Sequence, residues 1–225
     1  MFMHLQGYDS VKLNVIEGDG KGSPRLYVTP QGKQYPSITS VLSVLSEDSI
    51  AKWKARVGEE EANKIGRKAA TRGTKIHNMC EAYLNNDSPF TSACMPNDVE
   101  MFNQIKSALD EYVTDIFAQE VTLYSDKLQT AGRCDLIAKF LGKPAIIDFK
   151  TSKKEKKPEW ISSYFQQTTA YAMMFEEMHN VPIEHIVIII ACEDTNQPQI
   201  FVRKKYKYID DLMNTRQLYK DKYNI

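Results

Sequence analysis

The chain has 225 residues, 42% of them hydrophobic, with 29 basic and 29 acidic side chains and zero formal net charge. That length suits one domain with a real core and excludes a disordered chain. The charge balance argues neither for nor against a nucleic-acid partner, so any electropositive surface must come from local clustering.

The four cysteines, Cys80, Cys94, Cys134 and Cys192, form no CxxC pair. This removes zinc-ribbon and thioredoxin spacings, and so few cysteines in a chain this long argue against a disulfide framework. The opening MFMHLQGYDSVKLNV has no basic region followed by an apolar run, so no secretory signal is expected. The longest apolar run, 186–192, is far too short to span a bilayer. The expectation is a cytoplasmic protein with reduced thiols and no membrane contact.

In chain order, 11–16 alternates like a strand, 17–24 reads as a loop, 25–29 as a strand and 30–33 as a turn. A helix is predicted over 36–46, capped by Ser37 or Thr39. Residues 49–86 read as mostly helical with a break near Gly73, and 87–97 as a loop. Val99, Phe102, Ile105, Leu109, Tyr112 and Ile116 recur at helical spacing and predict a helix over 98–117. Strands are expected at 120–126, 132–140 and 145–151, the last two joined by the tight LGKP. A long helix with proline near its start covers 158–180. HIVIIIAC reads as a buried strand, 199–206 as its hairpin partner, and 207–222 as a last helix. The order implies an α/β domain around a mixed central sheet flanked by helices, with an N-terminal helical extension. Within one domain, 1–48 would hold the first strands and helix, 49–118 a helical region and 119–225 the α/β core.

The stretch GRCDLIAKFLGKPAIIDFKTSKK sets carboxylates and a lysine inside segments that read as buried strands. Strand alternation points Asp148 and Lys150 to one face and Phe149 to the other. Asp135, on the preceding strand, can approach Asp148. Spacing alone leaves two readings open, a cross-strand ion pair at a solvated edge and a divalent-metal site. The apolar setting of AIIDFKT favours the second, since a buried carboxylate is costly unless paired or on a metal. His77 and Glu81 share a helix face, as do Gln167 and Tyr171. Each pair has a bland reading, a surface or half-buried polar pair, beside a functional one. Glu120, on the strand before Asp135, is either an exposed strand glutamate or a group reaching the metal or Lys150.

Together these pieces resemble the RecB-like branch of the PD-(D/E)XK nuclease superfamily, and they occur in that family's order. RGTKIHNMCEAYL resembles the helical histidine motif, AGRCDLI the G-x-x-D strand, IIDFKT the (D/E)-x-K strand and QQTTAY the Q-x-x-x-Y helix. Residues 25–43 are similar to the first segment of small stand-alone members, such as mitochondrial genome-maintenance exonucleases and phage nucleases. The resemblance implies a restriction-endonuclease-like core. It implies Mg²⁺ or Mn²⁺ held by His77, Asp135, Asp148 and the main-chain carbonyl of Phe149. Lys150 would be the catalytic lysine, supported by Gln167 and Tyr171.

The implied activity is a metal-dependent DNA exonuclease acting on single strands or ends in replication, recombination or repair. A structure-specific endonuclease and a non-catalytic DNA-binding accessory module are the alternatives. The cysteine spacing lacks the trio that holds an iron–sulfur cluster in some relatives, so no cluster is expected. No GxxxxGK[ST] motor segment is present. Arg67, Lys68 and Arg72 before the histidine, and Lys153 and Lys154 beside the (D/E)-x-K strand, are candidate DNA contacts, with solvated surface as the alternative. A helicase or single-strand-binding protein would be a fitting partner, in the host cytoplasm if the chain is phage-encoded.

Overall fold

The computed structural model of the protein describes residues 1–8, 10–18, 24–89 and 94–224. A small antiparallel sheet comes first: β1 (Asn14–Ile16), β2 (Leu26–Val28) and β3 (Gln34–Pro36). The third strand falls after the expected turn at 30–33, on residues left unassigned from sequence and on Pro36, where the expected helix begins. Parts of the expected loops, at 19–23 and 90–93, lie outside the described residues. Ser37 then caps α1 (Ile38–Leu42), its side chain accepting the Ser40 N–H at 3.0 Å.

The predicted 49–86 helix is two helices, α2 (Glu47–Val57) and α3 (Glu59–Leu84). The break falls at Gly58, not Gly73. Gly58 adopts φ +92°, outside the helical region, whereas Gly73 continues α3 without interruption. α4 (Pro96–Tyr112) starts on a proline that needs no helical N–H partner.

The helix predicted to 117 stops at Tyr112. Val113–Ser125 is instead the long first strand β4 of the main sheet. Val113 pairs with Phe140 and Ile116 with Ala138 on β5 (Thr130–Phe140), so ladder pairing overrides the helical spacing of the apolar residues. β5 turns through Leu141 and Gly142, both at positive φ, into β6 (Lys143–Ser152). A 3-10 turn at Pro158–Trp160 takes the proline, and α5 (Ser162–His179) follows. β7 (His185–Cys192) runs parallel to β6, and β8 (Gln199–Lys204) pairs antiparallel on its far side. The sheet order is β4-β5-β6-β7-β8, and α6 (Ile209–Tyr223) ends the fold.

Two cores cover the two faces of this sheet. On one, Ile146, Ile186, Ile188 and Ile190 pack with Phe165 and Phe175 of α5, Ile38 of α1 and Tyr219 of α6. On the other, Ile147, Phe149, Val187 and Ile189 pack with Ile76 and Cys80 of α3 and Ile105 of α4. The alternation along β6 therefore sends Asp148 and Lys150 toward α5, and Phe149 toward α3.

Candidate active site

The site forms where two strands part. The β5–β6 ladder runs from Phe140–Lys143 to Leu136–Ile147 and stops there. One residue further on, the Asp135 carboxylate takes the place of a ladder carbonyl and accepts the Phe149 N–H at 2.9 Å. The chain turns over at this level: Cys134 joins the α5-side core, but Leu136 joins the α3-side core. Across on β4, between the Gln119–Leu136 and Val121–Cys134 pairs, Glu120 takes φ +48°. A non-glycine residue in that region is costly, and such strain collects at functional sites.

α3 lays His77 over this gap. Its Nε2 lies 2.9 Å from the Phe149 carbonyl oxygen, which can only accept, so Nε2 carries the proton. The Nδ1 lone pair then faces Asp135 Oδ2 at 3.6 Å. Ligand atoms of His77, Glu120 and Asp135 all lie within 4.8 Å of one another. Burial raises the Glu120 carboxyl to about 7, and the Asp135 charge adds to the rise, against Arg133 at 2.6 Å and His77. Two crowded carboxylates and an imidazole lone pair are a donor set that suits a hard or borderline divalent cation.

Asp148 is not among the three groups whose ligand atoms cluster, but its carboxylate lies near enough to feel both Asp135 and His77. Its Oδ1 accepts from Gln167 Nε2 at 3.1 Å, and its Oδ2 lies 2.5 Å from Lys150 Nζ. At 1% exposure, burial lifts the Asp148 carboxyl to about 6; Lys150 opposes the rise and Asp135 adds to it. For Lys150, burial works to lower the ammonium pKa, but Asp148 and Asp135 outweigh it and the net direction is up. The two shifts differ in consequence because Asp148 has lost its water, while the Lys150 side chain keeps 22% of its surface exposed.

The sequence-predicted residues are thus mostly brought together. His77, Asp135, Asp148, Lys150, Gln167 and the Phe149 carbonyl surround one gap. Tyr171 is not the surface residue of the bland reading. It is 2% exposed, and burial holds its hydroxyl well above the usual range. It braces Gln167, whose amide lies 3.4 Å from its hydroxyl, and it fills the space above Gly132.

Arg72 also differs from its expected part. Its side chain is 17% exposed and is engaged by Glu193 and Asp98, tying α3 to α4 and to the end of β7. Arg67 and Lys68 on α3, and Lys153 and Lys154 after β6, remain exposed. Glu120 is the cluster member that motif reasoning leaves ambiguous. Its sole sequence signal is a carboxylate on the strand next to Asp135.

A family model described as the PD-(D/E)XK nuclease superfamily matches residues 93–223, more than half of the chain. The chain belongs to the PD-(D/E)XK nuclease superfamily. The mouse (Mus musculus) protein named mitochondrial genome maintenance exonuclease 1 is 26% identical over 188 residues. That match covers 78% of this chain but 55% of the mouse protein, so the chain spans about half the length of that curated relative. Two solved structures are more distant. SSO0001 aligns at a TM-score of 0.39 and 13% identity, covering 80% of this chain and 84% of that one. A candidate exonuclease from Eubacterium rectale aligns at 0.45 and 12%, covering 67% and 64%. Members of a nuclease superfamily cleave phosphodiester bonds, and the mixed sheet with its parted strands is the frame on which this chain carries its acidic and basic groups.

Proposed function

We propose that the chain is a divalent-metal-dependent deoxyribonuclease that removes nucleotides from the ends of single-stranded DNA. The observation that carries this reading is the convergence of His77, Glu120 and Asp135 at the strand gap, one residue from the Asp148–Lys150 pair. His77, Asp135 and Asp148, with the Phe149 carbonyl and Glu120, would hold Mg²⁺ or Mn²⁺. Such an ion supplies Lewis-acid polarisation of a phosphate oxygen and makes a bound water more acidic.

The chain's own groups do the rest. Asp135 fixes the Phe149 peptide and with it the direction of the flanking Asp148 and Lys150 side chains. Gln167 holds one oxygen of Asp148, leaving the other toward Lys150. The Lys150 ammonium, charged because two carboxylates face it, orients the attacking water and stabilises negative charge growing on the phosphate. The identity with a protein named as an exonuclease supports end-directed cutting.

The test is release of labelled nucleotides from a linear oligonucleotide with Mg²⁺ or Mn²⁺, compared with EDTA. Release with the metals and none in EDTA is expected. Asp148→Asn should abolish release and weaken Mn²⁺ binding in calorimetry while leaving the thermal melt cooperative. Unchanged Mn²⁺ binding and continued release by Asp148→Asn would refute the site. DNA binding without metal-dependent release by the wild type would instead mark an accessory module.

A further inference from the structure

A second feature lies beside the metal cluster. A cavity of about 580 Å³ opens between the α1–α2 corner and the first turn of α5. Its inner end is shared with the site. Gln167 lines it and holds Asp148 at 3.1 Å; Tyr164 lines it and sets its ring 5.2 Å from Lys150 Nζ. Its outer end is walled by Trp160, which is 65% exposed. The Lys157 ammonium sits 5.5 Å from the centre of that indole ring.

Between the two ends the wall carries Ser163, while Ser43, Ser46 and Ser49 give their hydroxyl protons to carbonyls three residues back. Its one acidic side chain, Glu159, is next to Trp160 and follows Lys156 and Lys157 in the chain. A large ring left in water over a cavity is a platform for a planar ligand, and bases stack on such rings whatever their identity. The Ser163 hydroxyl and the flanking Lys150 and Lys157 suit a sugar–phosphate backbone, which they bind without reading sequence. The space is of small-ligand size, enough for an unpaired base and its sugar.

We propose that this groove seats the unpaired strand adjoining the scissile phosphate, with one base stacked on Trp160 and the backbone running past Tyr164 to Lys150. This rests on the nuclease reading above and adds where the strand lies.

The experiment uses the full chain in EDTA, so that binding is read with turnover suppressed. The sequence has two tryptophans, and Trp53→Phe leaves Trp160 as the sole indole to excite selectively. Oligothymidylate should quench Trp160 emission saturably, and a blunt hairpin duplex should do so far less. In fluorescence anisotropy, Trp160→Ala should weaken oligothymidylate binding roughly 5- to 150-fold, the range expected for loss of one stacked base. Ser163→Glu should weaken it too, by placing a charge against the backbone. An acidic residue in the first turn of a helix favours folding, so that loss would not reflect a damaged α5.

Absence of quenching, or wild-type affinity in both variants, overturns the groove assignment. Metal-dependent nucleotide release by the wild type is measured alongside. If release persists, the groove alone is wrong; if release and binding both fail, the nuclease reading falls with it.

Discussion

Lys150 and Asp148 are two residues apart on one strand, yet they are asked for opposite things. Asp148 must be an anion where water is excluded; Lys150 must stay a cation while touching it. Lys150→Ala should therefore reduce turnover by at least about a hundredfold, as loss of a transition-state charge contact does, while Mn²⁺ and DNA binding survive. Single-turnover cleavage beside anisotropy checks this, and a loss of DNA binding equal to the loss of rate would make Lys150 a simple phosphate anchor. Protonation adds a second outcome. Unfolded, the Asp148 and Glu120 carboxyls titrate near 3.8 and 4.5; folded, near about 6 and about 7. Between those limits the folded chain keeps protons that the unfolded chain has lost. Their contribution to the stability of the metal-free protein therefore falls as pH rises from about 4 to about 7 and is flat above. Divalent metal needs the deprotonated ligands, so stabilisation by Mn²⁺ should grow across the same window. Melting in EDTA and in Mn²⁺ at pH 5 and pH 8 tests the sign: the gap should be wider at pH 8. Glu120→Gln should narrow it and weaken Mn²⁺ binding about tenfold; a variant that binds as wild type would return Glu120 to a strand-surface role. His77, Asp135, Asp148 and Lys150 were legible because their motifs are short and local. Glu120 was not, because its approach depends on a backbone φ of +48° that nothing in its neighbours encodes.

At the scale of elements, α5 is the part that turns a strand pair into a site. It is the crossover between parallel β6 and β7, so it must lie over the sheet, and it carries both Gln167 and Tyr171. Its closeness depends on Gly132 of β5. A Cβ there would stand 2.8 Å from Tyr171 Cε1 and 3.1 Å from both the Tyr171 hydroxyl and Ile38 Cγ2. Gly132→Ala should push Tyr171 away, loosen the Gln167 hold on Asp148, and destabilise by about 1–3 kcal/mol, as overpacking does. The expected signature is a lowered melting temperature together with a rate loss that Mn²⁺ excess does not restore. A wild-type melt and rate would show that the rings simply shift aside. The glycine of the G-x-x-D strand was visible in sequence, but its reason was not, since it is set by a ring 39 positions away. The same limit explains the misplaced end of α4. Apolar residues at 112 and 116 fit a helix stripe, and only the pairing of 113–116 with β5 shows that the chain has become a strand. Strands β5 to β7 were readable because each holds a short, largely apolar run bounded by turn residues.

At the scale of the molecule, zero net charge makes the placement of the exposed lysines and arginines decisive. Four of the five candidate DNA contacts are exposed: Arg67 and Lys68 on α3, Lys153 and Lys154 after β6. Arg72 is spent on Glu193 and Asp98, so its loss should act on stability. Sequence could not separate these cases, because a helix-face arginine reads the same whether its partner is a phosphate or a carboxylate of another element. Charge reversal at both Arg67 and Lys68 should weaken binding of long single strands and reduce the slope of log affinity against log salt by about 1.4, roughly 0.7 per lost phosphate contact on a single strand. The melting temperature and Mn²⁺ affinity should stay unchanged. Arg72→Glu should instead lower the melting temperature, by leaving Asp98 and Glu193 without their cation. The substrate then decides between cutting modes. On the proposed reading, the chain takes strands that are already unpaired. Linear single strands should be degraded faster than blunt duplex at matched salt, and circular single strands should survive because they offer no end. Equal cutting of circles would make the enzyme an endonuclease on the same metal site, and faster loss of blunt duplex would mean that the strand is not taken up unpaired.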